Sequence, residues 1–480
     1  MIEQRDVASS SRSWQPVLML GCLLAVTVIV VACSTGMTTN SISGMGTVNV
    51  MLSDPATCAS PDGPYSHVYV TITDVQANAS STASSSDGSW VDLTPNLSRS
   101  PKQIDLLAQA NNQCFLASLG DAQQLQAGSY QQIRLILASD STSISNNACT
   151  NGSANCIVLT ADSSFHTLQL SSEDKTGIKI PSGQIASGAF TIAAGQTEDL
   201  DIDFLTCQSI VREGNGQFRL KPVLHAGEVS TTSSSINGVV LDGATGKPVA
   251  GSVFVAVEQK DANGVDRVIQ STTANADGSF VFCPLTGTAA FDVVIVGTRS
   301  DGTLYQPSIV TGVAIGSTTG NVNLYPSTLT AANSAASITG LVTSQNSSSS
   351  ATTADVTLSA LEMVNSTTYT IPMQPATSPI FAVTQVVTTA VSNPPTLTCP
   401  TGTDCIDFSL PVASGGPYIG AWSASGSTLT QSAPLGSYTV DGIASTCSPT
   451  EQTSTPAVAL TGSGPFSVSI PNNLAFTGCQ

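Results

Sequence analysis

The residues with the most specific chemistry in this sequence are Val30-Val31-Ala32-Cys33, which close an apolar run that begins at Val17. This tetrapeptide has the form of a bacterial lipobox, in which a branched apolar residue and small residues precede a cysteine whose thiol carries a diacylglycerol thioether. The run is shorter than the roughly 18 to 20 residues of a transmembrane helix, and an ordinary cleaved signal peptide is the other alternative. The sequence therefore predicts a lipoprotein signal peptide over residues 1–32 and lipid attachment at Cys33.

A lipid on Cys33 would place the mature chain in the cell envelope, with the membrane as its partner through the anchor. Ser34 follows this cysteine, whereas an aspartate at that position would favour retention in the inner membrane. We therefore expect a protein of the outer membrane, with residues 33–45 as a lipidated tether.

A row of carboxylates at Asp199, Asp201 and Asp203 alternates with apolar residues. In a β-strand this spacing would place all three side chains on one face. Calcium prefers such oxygen ligands, but the same row is also typical of a solvated face that prevents pairing between sheet edges. The solvated face is the favoured interpretation, so we predict no metal and no cofactor.

Aromatic side chains are the candidate ligand-binding residues, because sugar rings stack on flat aromatic faces. The mature chain has only two tryptophans, Trp90 and Trp422. Trp422 with Tyr418 is the best candidate for an exposed aromatic pair, and Tyr305 and Tyr325 are the tyrosines of the segment before it. A packed strand of the core is an equally good interpretation of Tyr418 and Trp422.

The charge balance excludes several classes of function. The formal net charge is −18, with 14 Lys and Arg against 32 Asp and Glu, and residues 300–480 contain no Lys, Arg or His. Such a chain is poorly suited to nucleic acid, which proteins bind through clustered cations. The three histidines, His67, His166 and His225, lie in no nucleophile-elbow or zinc-protease motif, so no catalysis is predicted.

The cysteines fit an oxidising compartment. Setting aside Cys22 in the leader and Cys33 leaves ten of the 12 cysteines, an even number that predicts disulfides. Spacing favours three pairs: Cys149 with Cys156, Cys399 with Cys405, and Cys447 with Cys479. The partners of the other four remain open at this point; these are Cys58, Cys114, Cys207 and Cys283.

The elements that must position these residues are mostly strands. Apolar residues recur with a period of two almost everywhere, for example at Val48, Val50 and Leu52. Helical patterns occur only at Gln103–Gln113 and Leu116–Leu125. The sequence therefore predicts a mainly β fold of tandem β-sandwich domains.

Two polar segments, residues 230–235 and 327–336, are rich in Ser, Thr and Ala, as flexible connectors are. They divide the chain into a first region (residues 46–229), a middle region (residues 235–326) and a C-terminal region (residues 336–480). Similar openings at Ser235–Gly238 and Ser337–Gly340 indicate that the C-terminal region is a diverged repeat of the middle region.

The first region resembles the bacterial lipoprotein domain of unknown function 4382. The resemblance rests on nine segments: 48–54 (VNVMLSD), 68–75 (VYVTITDV), 90–93 (WVDL), 104–107 (IDLL), 125–134 (LQAGSYQQIR), 177–180 (GIKI), 200–204 (LDIDF), 209–211 (SIV) and 214–223 (GNGQFRLKPV). It implies an exported β-rich domain and no activity.

The middle region resembles the carboxypeptidase regulatory-like family. The resemblance rests on 236–240 (INGVV), 242–248 (DGATGKP), 250–251 (AG), 277–280 (DGSF) and 291–293 (FDV). It implies a prealbumin-type sandwich, a fold that serves as spacer, glycan-binding module or adhesion unit.

These observations predict a lipid-anchored envelope protein with a structural, adhesive or ligand-presenting role and no catalysis. The alternative is a carbohydrate-binding lipoprotein that uses its regulatory-like sandwich. The expected partners are accordingly the membrane and either a polysaccharide or a surface protein, but no nucleic acid.

Overall fold

A computed structural model describes residues 44–53, 64–109, 117–185, 188–213, 216–228, 235–282, 285, 289–374, 383–390 and 399–480. Residues Gly44–Gln480 form one compact unit. No helix within these described ranges is long and apolar enough to cross a bilayer. The predicted signal peptide, Cys33 and nearly all of the tether lie outside the described residues.

The described part of the first region is built from short strands. They are β1 (Met45–Ser53), β2 (Tyr65–Asn78), β3 (Val91–Asp92), β4 (Lys102–Asp105), β5 (Ala117–Ser118), β6 (Gln123–Gln126), β7 (Gly128–Tyr130), β8 (Gln132–Leu137), β9 (Cys156–Leu159), β10 (Phe165–Gln169), β11 (Ile178–Pro181), β12 (Phe190–Ile192), β13 (Thr197–Phe204), β14 (Ile210–Arg212), β15 (Phe218–Leu220) and β16 (Leu224–Glu228). The helical turns are Leu107–Gln109, Ser182–Gln184 and α1 (Thr206–Ser209).

Two larger sheets of the first region share one core. The first has the strand order β16-β13-β1-β5, with β6 also on β1, and the second has the order β11-β8-β2-β9-β10-β15-β14, with β3 and β4 also on β2; β7 and β12 form a separate pair. Period-two alternation turns Val48, Val50 and Leu52 of β1 into the core, where they contact apolar side chains of the second sheet such as Val70.

The two predicted helices of the first region are wrong. The segments form β4, a single turn at Leu107–Gln109, β5 and β6, while residues 110–116 lie outside the described residues. β4 pairs with the central strand β2, and β6 pairs with β1. Pairing with a neighbouring strand satisfies these backbone groups and outweighs a weak local apolar period.

The middle and C-terminal regions continue the β architecture. The strands of the middle region are β17 (Ile236–Asp242), β18 (Gly251–Lys260), β19 (Val265–Thr273), β20 (Ser279–Phe282), β21 (Phe291–Arg299), β22 (Tyr305–Gln306), β23 (Ser308–Val313) and β24 (Ser317–Pro326). After α2 (Ala331–Ser334) come β25 (Ala335–Ser344), β26 (Asp355–Val364), β27 (Thr367–Ile371), β28 (Gln385–Thr388), β29 (Asp404–Ala413), β30 (Tyr418–Ala421), β31 (Thr430–Gln431), β32 (Ser437–Ile443), β33 (Glu451–Thr453), β34 (Val458–Ala459), β35 (Phe466–Ser469) and β36 (Leu474–Phe476).

One long sheet joins these two regions. Its order is β31-β30-β23-β21-β18-β19-β27-β26-β32-β33, with β28 on β26 and β34 on β32. Four strands of the middle region therefore lie between β30 and β27 of the C-terminal region, and both joining pairs are parallel. Smaller sheets, β20-β17-β24-β22 and β29-β25-β35 with β36, complete the two sandwiches. The prediction of a mainly β fold of tandem sandwiches is confirmed.

The predicted connector at residues 327–336 is an ordered junction rather than a free linker. It contains α2 and the start of β25, and Ser334 is buried. The Ser334 hydroxyl accepts a hydrogen bond from the Leu304 backbone N–H at 2.9 Å. The polar composition of this segment predicted a flexible connector, but the Ser334 hydroxyl is buried and forms a hydrogen bond within the protein. The other connector lies mostly outside the described residues, and the three-region division stays a prediction.

Candidate binding site

A cleft of about 930 Å³ lies between the first and C-terminal regions. One wall is formed by Tyr65, Ile210, Arg212, Glu213, Arg219 and Lys221. The facing wall includes Thr353, Asp355, Gln385, Thr388, Asp407 and Thr446. A concave volume of this size is in the range of small-molecule binding sites, so we treat it as the candidate site.

Strand alternation accounts for the position of Arg219 but not for that of Arg212, which is paired with the core residue Phe218 and still lines the cleft. β14 and β15 are antiparallel neighbours, with Arg212 opposite Phe218 and Val211 opposite Arg219. Phe218 and Leu220 turn into the core, so Arg219 between them points the other way. Lys221 follows directly after β15. The local sequence thus presents three cations on one hairpin.

Arg219 holds the two walls together. Its Nε donates to Glu213 Oε1 and its Nη2 donates to Asp355 Oδ1, both at 2.9 Å. Burial opposes the charge of Arg219, but the hydrogen bonds that it donates to Asp355 and Glu213 outweigh burial and raise the arginine pKa. For Asp355, burial likewise acts against ionisation, and the hydrogen bonds from Arg219 and Thr388 prevail and lower its pKa. Two nitrogens of this guanidinium are therefore bonded to carboxylates of the protein.

The other two cations of the cleft, Arg212 and Lys221, have fewer and weaker polar contacts with the described residues than Arg219 has. Lys221 Nζ donates to the backbone carbonyl of Asp355 at a long 3.3 Å, and burial lowers the pKa of this ammonium. Arg212 is exposed and forms no ion pair with any described residue. Within the described part of the chain, the cleft therefore offers one guanidinium without an ion pair and one weakly held ammonium, beside the two carboxylates held by Arg219 and the carboxylate of Asp407.

The aromatic residues proposed for ligand binding have different environments. Tyr305 is only 1 % exposed, and its hydroxyl donates to Asp242 Oδ2 at 2.6 Å. The prediction that Tyr305 binds a ligand is therefore corrected, since its ring belongs to the core of the middle region.

Tyr325, Tyr418 and Trp422 remain partly exposed. The rings of Tyr325 and Tyr418 stack at 4.1 Å between centroids, and the Trp422 Nε1 donates to the Thr318 carbonyl at 2.9 Å. The structure thus brings together residues from two regions that are about 100 positions apart in sequence. Tyr325 and Tyr418 form a stacked pair at the junction of β23 and β30. Trp422 lies four positions beyond Tyr418, and no ring contact within the described ranges joins it to the pair; we call the three residues together the aromatic group.

The three aspartates of β13 are not a solvated face. Asp201 and Asp203 are buried, and only Asp199 is half-buried, where it accepts a 2.7 Å hydrogen bond from Asn49. Asp201 accepts a hydrogen bond from Ser53 at 2.8 Å, and burial raises its pKa to about 7. The pattern misled because the middle region packs over this end of β13, around a 40 Å³ cavity lined by Asp201, Asp203 and Ile269.

No three His, Cys, Asp or Glu side chains within the described ranges lie close enough to hold a metal ion. The aspartates of β13 therefore do not form the calcium site that was considered for them. They are instead neighbours of β1 in a parallel pair, with Met51 opposite Asp201 and Ser53 opposite Asp203.

Three disulfides occur in the described residues. They join Cys149 to Cys156, Cys399 to Cys405, and Cys447 to Cys479, which are the three pairs that spacing favours. Cys58, Cys114 and Cys283 lie outside the described residues, and only the backbone of Cys207 is described.

Sequence reasoning missed the cleft residues Arg212, Arg219, Lys221 and Asp355. One signal for them existed, because three of the 14 Lys and Arg residues fall within ten positions of an acidic chain. The facing wall carried no comparable signal, since only the packing of β26 and β28 beside β14 brings it there.

Comparison with solved structures yields distant likenesses. The Bacillus anthracis TIE protein matches with a TM-score of 0.15 and 8 % identity, covering 90 % of this chain and 51 % of that one. The shaft pilin SpaA from Lactobacillus rhamnosus GG matches with a TM-score of 0.18 and 10 % identity, covering 60 % and 99 %. The minor pilin GBS52 from Streptococcus agalactiae gives 0.17 and 11 %, covering 51 % and 96 %. The chain thus spans about half the length of the TIE protein, and similarity at this level supports no functional argument.

No curated protein matches the chain. A family model does match part of it, and the matched residues are those of the first region. The resemblance of the middle region to regulatory-like domains remains a prediction. Residues 45–222 match the domain of unknown function DUF4382, which confirms the resemblance drawn from the segments of the first region.

Proposed function

We propose that this chain is a lipid-anchored protein of the cell envelope, attached through Cys33, with a structural or adhesive role and no catalytic activity. The observation that carries the proposal is the sheet shared by the middle and C-terminal regions. Val310 of β23 lies opposite Gly420 of β30, and Asp266 of β19 lies opposite Tyr369 of β27. Continuous backbone pairing on both flanks suits a protein that must keep its shape while tethered at one end.

Ion pairs add to this connection. Arg267 of the middle region donates to Asp441 at 2.6 Å and to Glu451 at 2.9 Å in the C-terminal region. Since residues 300–480 have no cation of their own, earlier regions supply the charges that balance their acids. Such mutual dependence supports a single structural element rather than independently moving modules.

The histidine contacts support a non-catalytic role. His67 Nδ1 lies 2.6 Å from Asp105 Oδ2, but no hydroxyl or thiol among the described residues hydrogen-bonds this ring. His166 Nε2 lies 2.8 Å from Ser164 Oγ, yet the nearby Asp162 accepts from the serine instead of orienting the imidazole. Nucleophilic catalysis needs the acid on the histidine, which in turn activates the hydroxyl.

Lipid attachment can be tested with a matched pair of cysteine variants. We expect the wild-type protein and Cys22→Ser to incorporate labelled palmitate and to fractionate with membranes, because Cys22 lies within the predicted leader. Cys33→Ser should incorporate no label. An unlipidated N-terminus on the mature wild-type chain, measured by mass spectrometry, would refute the anchor.

Carbohydrate binding is a second candidate function, favoured by the partly exposed aromatic group of Tyr325, Tyr418 and Trp422. If a sugar stacks there, Trp422→Ala should lose polysaccharide binding and Trp90→Ala should keep it. Trp90 is a suitable control because the Arg134 guanidinium covers its ring, 4.3 Å from the ring centre. Affinity electrophoresis through gels cast with neutral polysaccharides measures this. Unretarded migration of the wild-type chain in every gel would rule the candidate out.

A further inference from the structure

We propose that the cleft between the β14–β15 hairpin and β26 with β28 binds a saccharide that carries a carboxylate group, such as a uronic acid. This inference goes beyond the anchoring role, because it concerns a ligand site that does not depend on Cys33. It also uses a different surface from the aromatic group, and the residues that carry it are Arg212 and Lys221.

Charge is the first argument. The chain has a net charge of −18, so an anionic ligand is repelled by most of its surface. The cleft is less acidic than that overall balance, since Arg212, Arg219 and Lys221 line it together with the carboxylates of Glu213, Asp355 and Asp407. Because Arg219 is paired with Glu213 and Asp355, a ligand carboxylate would be attracted at Arg212 and Lys221.

Availability is the second argument. Arg219 is occupied by Glu213 and Asp355, each at 2.9 Å, and its role is to fix these two carboxylates in place. Among the described residues Arg212 has no such partner, and the hydrogen bond of Lys221 within the same ranges is a 3.3 Å contact to a backbone carbonyl. A carboxylate that paired with Lys221 would also offset the cost of its partial burial. Recognition of charge thus falls to Arg212 and Lys221.

The mixed lining suits the hydroxyl groups of a sugar. The carboxylates of Glu213 and Asp355 accept hydrogen bonds from hydroxyl groups. Thr388 and Gln385 add polar groups on the facing wall. The apolar side chains Tyr65, Ile210 and Val387 are almost fully buried. Those of Val386 and Ile406 are half-buried, and Ala390 is exposed. Hydroxyls together with one carboxylate match this set of donors and acceptors.

Calorimetric titration of the full mature chain in detergent tests the inference, with trigalacturonate as the acidic probe and maltotriose as the neutral one. We expect trigalacturonate to bind at least about tenfold more tightly, as one charge-assisted pair implies, and to weaken as salt is raised. Arg212→Gln and Lys221→Gln should each weaken it about tenfold, whereas the exposed controls Arg99→Gln and Lys175→Gln and the aromatic variant Trp422→Ala should bind like the wild type.

The proposal is overturned if trigalacturonate does not bind, if the two trisaccharides bind equally, or if Arg212→Gln binds as the wild type does. Arg212 is exposed, so its variant is expected to fold, and circular dichroism checks this. Failure of the titration leaves palmitate labelling at Cys33 untouched, and loss of that labelling leaves the titration valid. The two proposals therefore fail separately.

Discussion

Two arginines connect the C-terminal region to the rest of the molecule, and their surroundings differ. Arg219 reaches Asp355 across an open cleft, where the side chains of the pair are 20 % and 23 % exposed. Arg267 reaches Asp441 inside the protein, where the aspartate side chain is 0 % exposed. The same guanidinium chemistry therefore serves an open junction at one end and a closed junction at the other.

The two aspartates show what this difference does. At the open junction, the hydrogen bonds from Arg219 and Thr388 outweigh burial, and the pKa of Asp355 is lowered. At the closed junction, burial is the stronger effect, and despite Arg267 the pKa of Asp441 is raised to about 6. Burial of the Asp441 charge at the closed junction is thus unfavourable without Arg267. At the open junction, loss of Arg219 should destabilise the fold less, and the cleft leaves room for a ligand.

The largest expected effect is the loss of Arg267. Arg267→Met would leave Asp441 buried without its counter-charge, which costs about 3 kcal/mol in comparable cases. Urea unfolding followed by circular dichroism measures the change. The double variant Arg267→Met with Asp441→Asn should recover part of that loss, because the buried charge is then removed. Equal stability of the single variant and the wild type would show that this junction is not closed.

The pH dependence of the two junctions should have opposite signs. Because the pKa of Asp441 is raised from 3.8 to about 6, the folded state binds more protons than the unfolded state between these values, and stability falls as pH rises through this window. The pKa of Asp355 is lowered, so its contribution is present above pH 3.8 and is lost as pH falls through the folded-state value.

Variants separate these two contributions. Relative to the wild type, Asp441→Asn should become more stable as pH rises from about 4 to about 6, and Asp355→Asn should become less stable as pH rises through the ordinary aspartate range. Free energies of unfolding at a series of pH values give the two difference curves. Curves with the same slope would contradict the contrast between the junctions.

A smaller effect is expected at the open junction. Arg219→Met removes two ion pairs whose members are all partly exposed, and solvent screening limits the loss to about 1 kcal/mol. The measurement is the same urea titration used for Arg267. If Arg219→Met lost as much unfolding free energy as Arg267→Met, the solvent exposure of the paired aspartate would not determine how strongly each ion pair stabilises the protein.

The smallest effect is expected where Tyr325 stacks on Tyr418 at 4.1 Å between the middle and C-terminal regions. A double-mutant cycle with Tyr325→Ala and Tyr418→Ala should give a coupling energy of about 0.5 kcal/mol, the lower end for aromatic pairs, since both rings are partly exposed. Strictly additive losses would show that the rings do not support the joint between the regions.

The period of two in β1 and β13 was sufficient to predict the β class and the buried positions Val48, Val50 and Leu52. Local spacing was also sufficient for the disulfide Cys149–Cys156, because a turn can bring together two cysteines that are seven positions apart. Longer-range packing was not predictable in this way. The sequence around Asp201 has the ordinary pattern of an amphipathic strand, which predicts that Asp201 faces solvent. Asp201 is buried instead because the middle region, with Ile269, packs over that face of β13.

The cleft illustrates the same limit. Arg219 and Asp355 are 136 positions apart, and no local pattern connects them. The prediction for Tyr305 was wrong for a related reason. The local sequence, strands separated by turns, is equally compatible with an exposed ring and with the observed buried ring, whose hydroxyl donates to Asp242. Pairing across distant strands decides such cases, and that information is distributed over the whole chain.

The central claim is that the closed junction makes the middle and C-terminal regions one unfolding unit. Hydrogen exchange with peptic digestion and mass spectrometry, at increasing urea concentrations, measures this directly on the full mature chain. The account predicts one urea midpoint for peptides of β18 and β26. Loss of protection in β18 at a urea concentration where β26 is still protected would contradict it.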